Sequence, residues 1–191
     1  MGRPVRQVQG ARRAAPLTEG DRAPSPAPVG PTRWVLLAIG VIILLDQLTK
    51  VWAVSQLSDG PIHIFGDTVE LALTRNGGSA FSRFQGITPV LAIGAIIVTI
   101  VLARVLRKAN DRLLIIALTL LLGGALGNLM DRIFRSPGFL RGHVVDFVSV
   151  GSFPVFNVAD SCVTIGAVLL IVCSLRQPAR PASSSPSTPS S

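Results

Sequence analysis

Asp146, in Gly142-His143-Val144-Val145-Asp146-Phe147, and Asp160, in Phe156-Asn157-Val158-Ala159-Asp160-Ser161, lie at the borders of segments otherwise apolar enough for a membrane. An ionisable group in such a place is costly and is a functional-site candidate for that reason. The other chemistry on offer is sparse: no Tyr, two His (His63 and His143) and two Cys (Cys162 and Cys173). A pair of acids is the best-supplied catalytic device, and it fits general acid/base hydrolysis at a bilayer surface.

The elements that must position these acids are membrane spans. With 49% hydrophobic and 15% charged residues and a mean hydropathy of +0.55, the chain reads as a polytopic membrane protein rather than a soluble core. Its net charge of +8 is unevenly spread: Arg3, Arg6, Arg12, Arg13, Arg22 and Arg33 precede the first apolar run, and Arg104, Arg107, Lys108 and Arg112 crowd one short connection. That clustering is the positive-inside signal of a membrane protein and not a nucleic-acid surface. Cys162 and Cys173 stand eleven positions apart on one run, about 16 Å of helical rise, too far to pair with each other.

Four apolar runs carry the topology: Trp34–Val54, Val90–Leu106, Leu113–Met130 and Ser161–Leu175. The last is short of the roughly 20 residues a crossing helix needs. It must begin nearer Phe156, which draws Asp160 into the helix at the bilayer edge. The expected domain plan is a disordered basic cytoplasmic tail over 1–33, a four-span unit over 34–175 and a disordered Pro/Ser-rich cytoplasmic tail over 176–191. The charge rule puts both termini and the basic turn inside. Residues 55–89 and 131–155 then connect the spans outside. Val69, Leu71 and Leu73 alternate with Glu70, Ala72 and Thr74 before Asn76-Gly77-Gly78, a period-two strand followed by a turn. The expected fold is an all-α membrane bundle of four transmembrane helices with a small extracytoplasmic β element.

On this plan Asp46, Asp131, Asp146 and Asp160 all approach the extracytoplasmic interface. Asp46 is about twelve residues, roughly 18 Å, into the first span. Each acid also has a structural reading. Asp46 has Lys50 at i,i+4, Asp131 closes the third span beside Arg132, Asp160 caps a helix, and Asp146 is a loop acid. Asn157 falls three residues before Asp160, on roughly the same helix face.

In order along the chain, Asp46-Gln47-Leu48-Thr49-Lys50, Asn76-Gly77-Gly78-Ser79-Ala80-Phe81-Ser82, Gly123-Gly124-Ala125-Leu126-Gly127-Asn128-Leu129-Met130-Asp131-Arg132 and the two blocks around Asp146 and Asp160 resemble the lipoprotein signal peptidase (signal peptidase II) family. The resemblance implies a bacterial inner-membrane aspartyl endopeptidase that removes the signal peptide from diacylglyceryl-modified prolipoproteins, cutting before the lipidated Cys, among membrane lipids and without cofactor or metal. It implies a catalytic dyad of Asp146 and Asp160. Asp46, Asn76, Asn128, Arg132 and Asn157 take positions that support the site or contact the substrate or the inhibitor globomycin. The stretch Ser136–Arg141 is longer than in compact members, and Cys162 replaces a small residue.

Other classes remain open on the residues themselves. A metal-dependent membrane hydrolase would gather Asp131, Asp146 and Asp160 with His143, though oxygen-only sites want more acids and zinc sites more His or Cys. A Cys162/His143 protease would need a thiolate within an apolar helix. A small proton-coupled transporter would need polar groups near the midplane, whereas these acids crowd one face.

Overall fold

Helices that carry their apolar side chains outward and their charges inward dominate the computed structural model, which describes residues 33–66, 68–78 and 88–176. They are α1 (Arg33–Gln56), α2 (Thr88–Leu106), α3 (Arg112–Phe134) and α4 (Val158–Arg176). Leu36, Leu44 and Leu48 on α1, Ile93 and Ile97 on α2, and Val168 and Ile171 on α4 are exposed, whereas Asp46, Lys50 and Asp131 are buried. In hydrocarbon this leaves lipid against lipid-like side chains and pairs the polar groups inside. All four helices are long and apolar enough to cross a bilayer; the 24 residues of α1 rise about 36 Å. The chain is a multi-pass membrane protein. The expected tails fall on 1–32 and 177–191, outside the described residues, as do Ser79, Ala80, Phe81 and Ser82 of the second motif block; Arg33 and Arg176 belong to α1 and α4.

The central helix is α3, which packs on α1, α2 and α4. Its start is capped by Asp111, whose side chain accepts from the Leu114 N–H at 2.8 Å. Small residues set how closely its neighbours approach. A Cβ at Gly127 would stand 2.7 Å from the Asp46 carboxylate, and one at Gly124 would collide with the Ala159 carbonyl oxygen. These two glycines bring α1 and the start of α4 onto α3 at the level of the polar residues.

Strands β1 (Ile62–Phe65), β2 (Val69–Asn76), β3 (Val144–Val150) and β4 (Phe153–Phe156) form one antiparallel sheet in that order. The alternation read in the sequence becomes β2. The sheet extends further than that pattern, because β3 and β4 occupy residues read only as a connection. Val-Val-Asp-Phe-Val-Ser-Val is rich in β-branched residues, but its first four are all buried, so the alternation of a half-exposed strand is missing. Asp146 is therefore a strand residue and not a loop acid. Ala53, Leu57 and Phe147, with Leu71, Leu73, Val148 and Val158 around them, fasten the sheet to the end of α1. Burying each large apolar side chain contributes about 1.5–3 kcal/mol, enough to fix the sheet's position over the bundle.

Candidate active site

Strand register sets the first contact. Thr74 pairs with Asp146 and Asn76 with Val144, so Asn76 and Asp146 project from the same face of the ribbon. Asn76 Nδ2 donates to Asp146 Oδ2 at 3.0 Å, while its Oδ1 accepts from the Gly78 N–H at 2.8 Å. Gly78 sits at φ +106°, a conformation that glycine reaches without strain, so the turn that ends β2 also orients the amide.

A helix cap sets the second. Asn157 precedes α4; its Oδ1 accepts from the Asp160 N–H at 2.9 Å, and Asp160 Oδ2 accepts from the Asn157 N–H at 3.2 Å. This is a reciprocal capping box. It corrects the expectation that Asn157 shares a helix face with Asp160: it lies just outside the helix, which frees its Nδ2 to donate to Asp146 Oδ1 at 2.6 Å. Asn128, on α3, donates from Nδ2 to Asp160 Oδ1 at 2.8 Å. Asn128 Oδ1 lies 3.2 Å from Asn157 Nδ2. Three neutral amides thus hold both carboxylates and link to one another.

Beneath them lies a buried ion network. Lys50 Nζ is 2.9 Å from Asp46 Oδ2, 2.9 Å from Asp131 Oδ2 and 2.9 Å from Asn128 Oδ1. The expected i,i+4 pair of Asp46 and Lys50 is present, and the free Asp46 oxygen accepts from the Ala159 N–H at 3.0 Å. For Asp131 the adjacent Arg132 is a partner by charge and not by hydrogen bond. Its oxygens take Lys50 and, at 2.6 Å, Arg135 Nε, because α3 continues to Phe134 and an i+4 side chain returns over Asp131 where the adjacent Arg132 points elsewhere. Arg132 instead interacts by charge with Asp146 and Asp160 as well as Asp131. Its Nη1 is buried with no hydrogen-bond partner among the described residues.

Asp146 and Asp160 line one cleft of about 520 Å³, walled by Phe153–Phe156 of β4 and by Thr164 and Ile165 of α4. Burial pushes the Asp146 carboxyl above its ordinary value; the Asn76 amide opposes this, the charge of Asp160 reinforces it, and the Asn157 amide opposes it again. The two carboxyls face one cleft, and the charge of one opposes ionisation of the other.

Of the residues singled out in the sequence, Asp146, Asp160, Asn76, Asn128 and Asn157 form one hydrogen-bonded group. Asp46 stands a step away through Lys50, and Arg132 is coupled through charge. Sequence reasoning left out Arg135, whose signal was its i,i+4 spacing from Asp131, and Gln47, which donates to Asp131 Oδ1 at 3.2 Å.

Residues 38–176 match the family model described as signal peptidase (SPase) II. The chain is 51% identical over 166 residues to the lipoprotein signal peptidase of Mycolicibacterium smegmatis, covering 85% of this chain and 70% of that one. It is 49% identical over 153 residues to the one from Rhodococcus jostii, covering 78% and 77%. A bacterial membrane enzyme solved by the in meso method at 1.9 Å resolution superposes with a TM-score of 0.67 at 30% identity, over 76% of this chain and 94% of that one. With a family match that runs from within α1 through the sheet and both cleft aspartates to the end of α4, the chain belongs to the signal peptidase II family.

Proposed function

We propose that this peptidase is an aspartyl endopeptidase that removes the signal peptide from diacylglyceryl-modified prolipoproteins, cutting before the lipidated Cys. The observation that carries the proposal is the shared cleft: both carboxyls line it, and its apolar walls from β4 and α4 include the exposed side chains of Phe153 and Ile165. One carboxylate accepts a proton from water as the oxygen attacks the scissile carbonyl carbon. The protonated partner donates to the carbonyl oxygen at the same time; on collapse the proton taken from water passes to the leaving nitrogen as the C–N bond breaks, and a hydroxyl of the tetrahedral carbon returns its proton to the other carboxylate, so the pair ends with one proton again. The unpartnered Nη1 of Arg132 is a donor suited to a substrate backbone carbonyl. Asn76, Asn128 and Asn157 position the two acids, and Asp46 anchors Lys50 beneath them.

The four-span unit works in the bacterial inner membrane with both termini, the basic N-terminal tail and the Pro/Ser-rich C-terminal one, in the cytoplasm. The concentration of Arg and Lys between α2 and α3, at the end of the bundle away from the sheet, supports that orientation and an extracytoplasmic site. Purified protein given a diacylglyceryl-Cys peptide should cleave it and be blocked by globomycin. Asp146→Asn and Asp160→Asn should each lower turnover by about 10²–10⁴-fold with membrane expression intact. Near-wild-type turnover by either variant would exclude it from the dyad.

A further inference from the structure

A second cleft, of about 480 Å³, opens on the other face of the β2–β3 ribbon. Arg75 pairs with Val145 in register, one step from the Thr74–Asp146 pair, so both project away from the dyad. Arg75, Arg135 and His143 supply the cleft's polar wall, and Val54, Val145 and Phe134 its apolar one. Among the described residues no carboxylate lines it. Arg135 spends only its Nε, on Asp131 at 2.6 Å, and Arg75 has no ion-pair partner among the described residues. The His143 ring lies close over Gly77, where a Cβ would come within 3.2 Å of it.

The depth of this cleft is marked independently. Trp52 at the end of α1 and Phe134 at the end of α3 are exposed, Phe134 at 72%, and aromatic side chains gather where hydrocarbon meets headgroups. Two guanidinium groups at that level run against the usual depletion of basic residues outside. A guanidinium fork matches phosphate oxygens in geometry as well as charge. The volume falls in the range of small-ligand sites, and the apolar side is formed by Val54 and by exposed Phe134, over which acyl chains would continue.

We propose that this cleft binds the phosphodiester headgroup of an anionic membrane phospholipid, held by Arg75, Arg135 and His143, with its chains passing over Phe134. The bound lipid braces the ribbon that carries Asn76 and Asp146 from the face opposite the substrate cleft, so it does not compete with substrate.

The test uses the full chain, delipidated in uncharged detergent and titrated with dihexanoyl phosphatidylglycerol, dihexanoyl phosphatidylcholine or inorganic phosphate, with affinity read by calorimetry and stoichiometry by native mass spectrometry. Saturable one-to-one binding of phosphatidylglycerol is expected, weakened about tenfold or more by Arg75→Gln and by Arg135→Lys, which keeps a cation for Asp131 but loses the fork. Asp146→Asn should bind phosphatidylglycerol as the wild type does, which separates this proposal from the peptidase assignment. Unchanged affinity in Arg75→Gln would overturn it. So would equal affinity for phosphatidylcholine, which would remove the anionic requirement, or for inorganic phosphate, which would make the site one for free phosphate.

Discussion

Replacing Lys50 by Met keeps the length and bulk of the side chain and removes one buried positive charge from between Asp46, Asp131 and Asn128, each 2.9 Å from Nζ. Removing one partner of a buried ion pair costs about 3–5 kcal/mol. Both carboxylates keep another donor, Ala159 N–H and Gln47 for Asp46 and Arg135 for Asp131, so the lower end, about 3 kcal/mol, applies. For a chain of this size that lowers the melting temperature by roughly 6–12 °C. A second effect is separate from stability. Asn128 Oδ1 loses its cationic donor and keeps only the longer contact to Asn157 Nδ2 at 3.2 Å, so the amide that holds Asp160 is less firmly oriented, and misplacement worth about 1.4 kcal/mol lowers turnover about tenfold. Thermal unfolding in detergent and cleavage per folded molecule measure the two effects independently. Adding Asp46→Asn to Lys50→Met removes one stranded charge and should recover part of the stability without restoring turnover. A Lys50→Met protein that melts within about 2 °C of wild type and cleaves normally would refute the argument.

Asn76→Ala removes an amide that favours ionised Asp146, so the limb of the pH–kcat/KM profile governed by the dyad should move to higher pH; a stationary or acid-shifted limb would contradict this. The same sign applies to folding. With the folded Asp146 carboxyl above 3.8, its stabilising contribution is complete below 3.8 and is lost as pH rises through the folded value. Asp131→Asn should lower the melting temperature while the surviving folded fraction keeps most of its turnover, since Asp131 is bound to Lys50 and Arg135 and does not line the dyad cleft; normal stability with no turnover would mean the acids are wrongly assigned. Chelation by EDTA and Cys162→Ala should leave cleavage unchanged, and activity lost to EDTA but restored by added metal would revive a metal-dependent hydrolysis.

The spans were legible because hydrocarbon demands long uninterrupted apolar runs, and β2 because Val69–Thr74 is buried only in part and alternates. The strand that carries Asp146 escaped the same pattern, since Val144–Phe147 is buried on every side and periodicity reports only a difference between faces. Partner choice was legible within a helix and blurred at its end. Asp46 and Lys50 met as i,i+4 spacing requires, but placing Asp131 at the terminus hid the turn that delivers Arg135. Asn157 was credited to the helix it caps; the sequence Asn157-Val158-Ala159-Asp160 already had the spacing of a capping box, and that spacing, more than a shared face, joins the two residues.

The division between amides and ion pairs has a chemical consequence. Each dyad carboxylate accepts hydrogen bonds from neutral amides, while the lysine lies one amide further away, reaching Asp160 only through Asn128. A lysine in direct contact would favour the ionised carboxylate strongly, and the pair would lose the proton that the proposed mechanism delivers to the leaving nitrogen. An apolar lining would leave acceptors unsatisfied and favour protonation of both, so that neither could take a proton from water. Amides satisfy the oxygens with partial charge only, and Lys50 fixes the direction in which Asn128 presents its N–H groups. Beside the direct pull of the Lys50 charge on Asp146, the buried lysine thus acts on Asp160 through the orientation of a neutral side chain. For this reason Lys50→Arg, although it preserves charge, should not substitute fully: a planar fork cannot place one donor at 2.9 Å from three acceptors on two helices as the ammonium does.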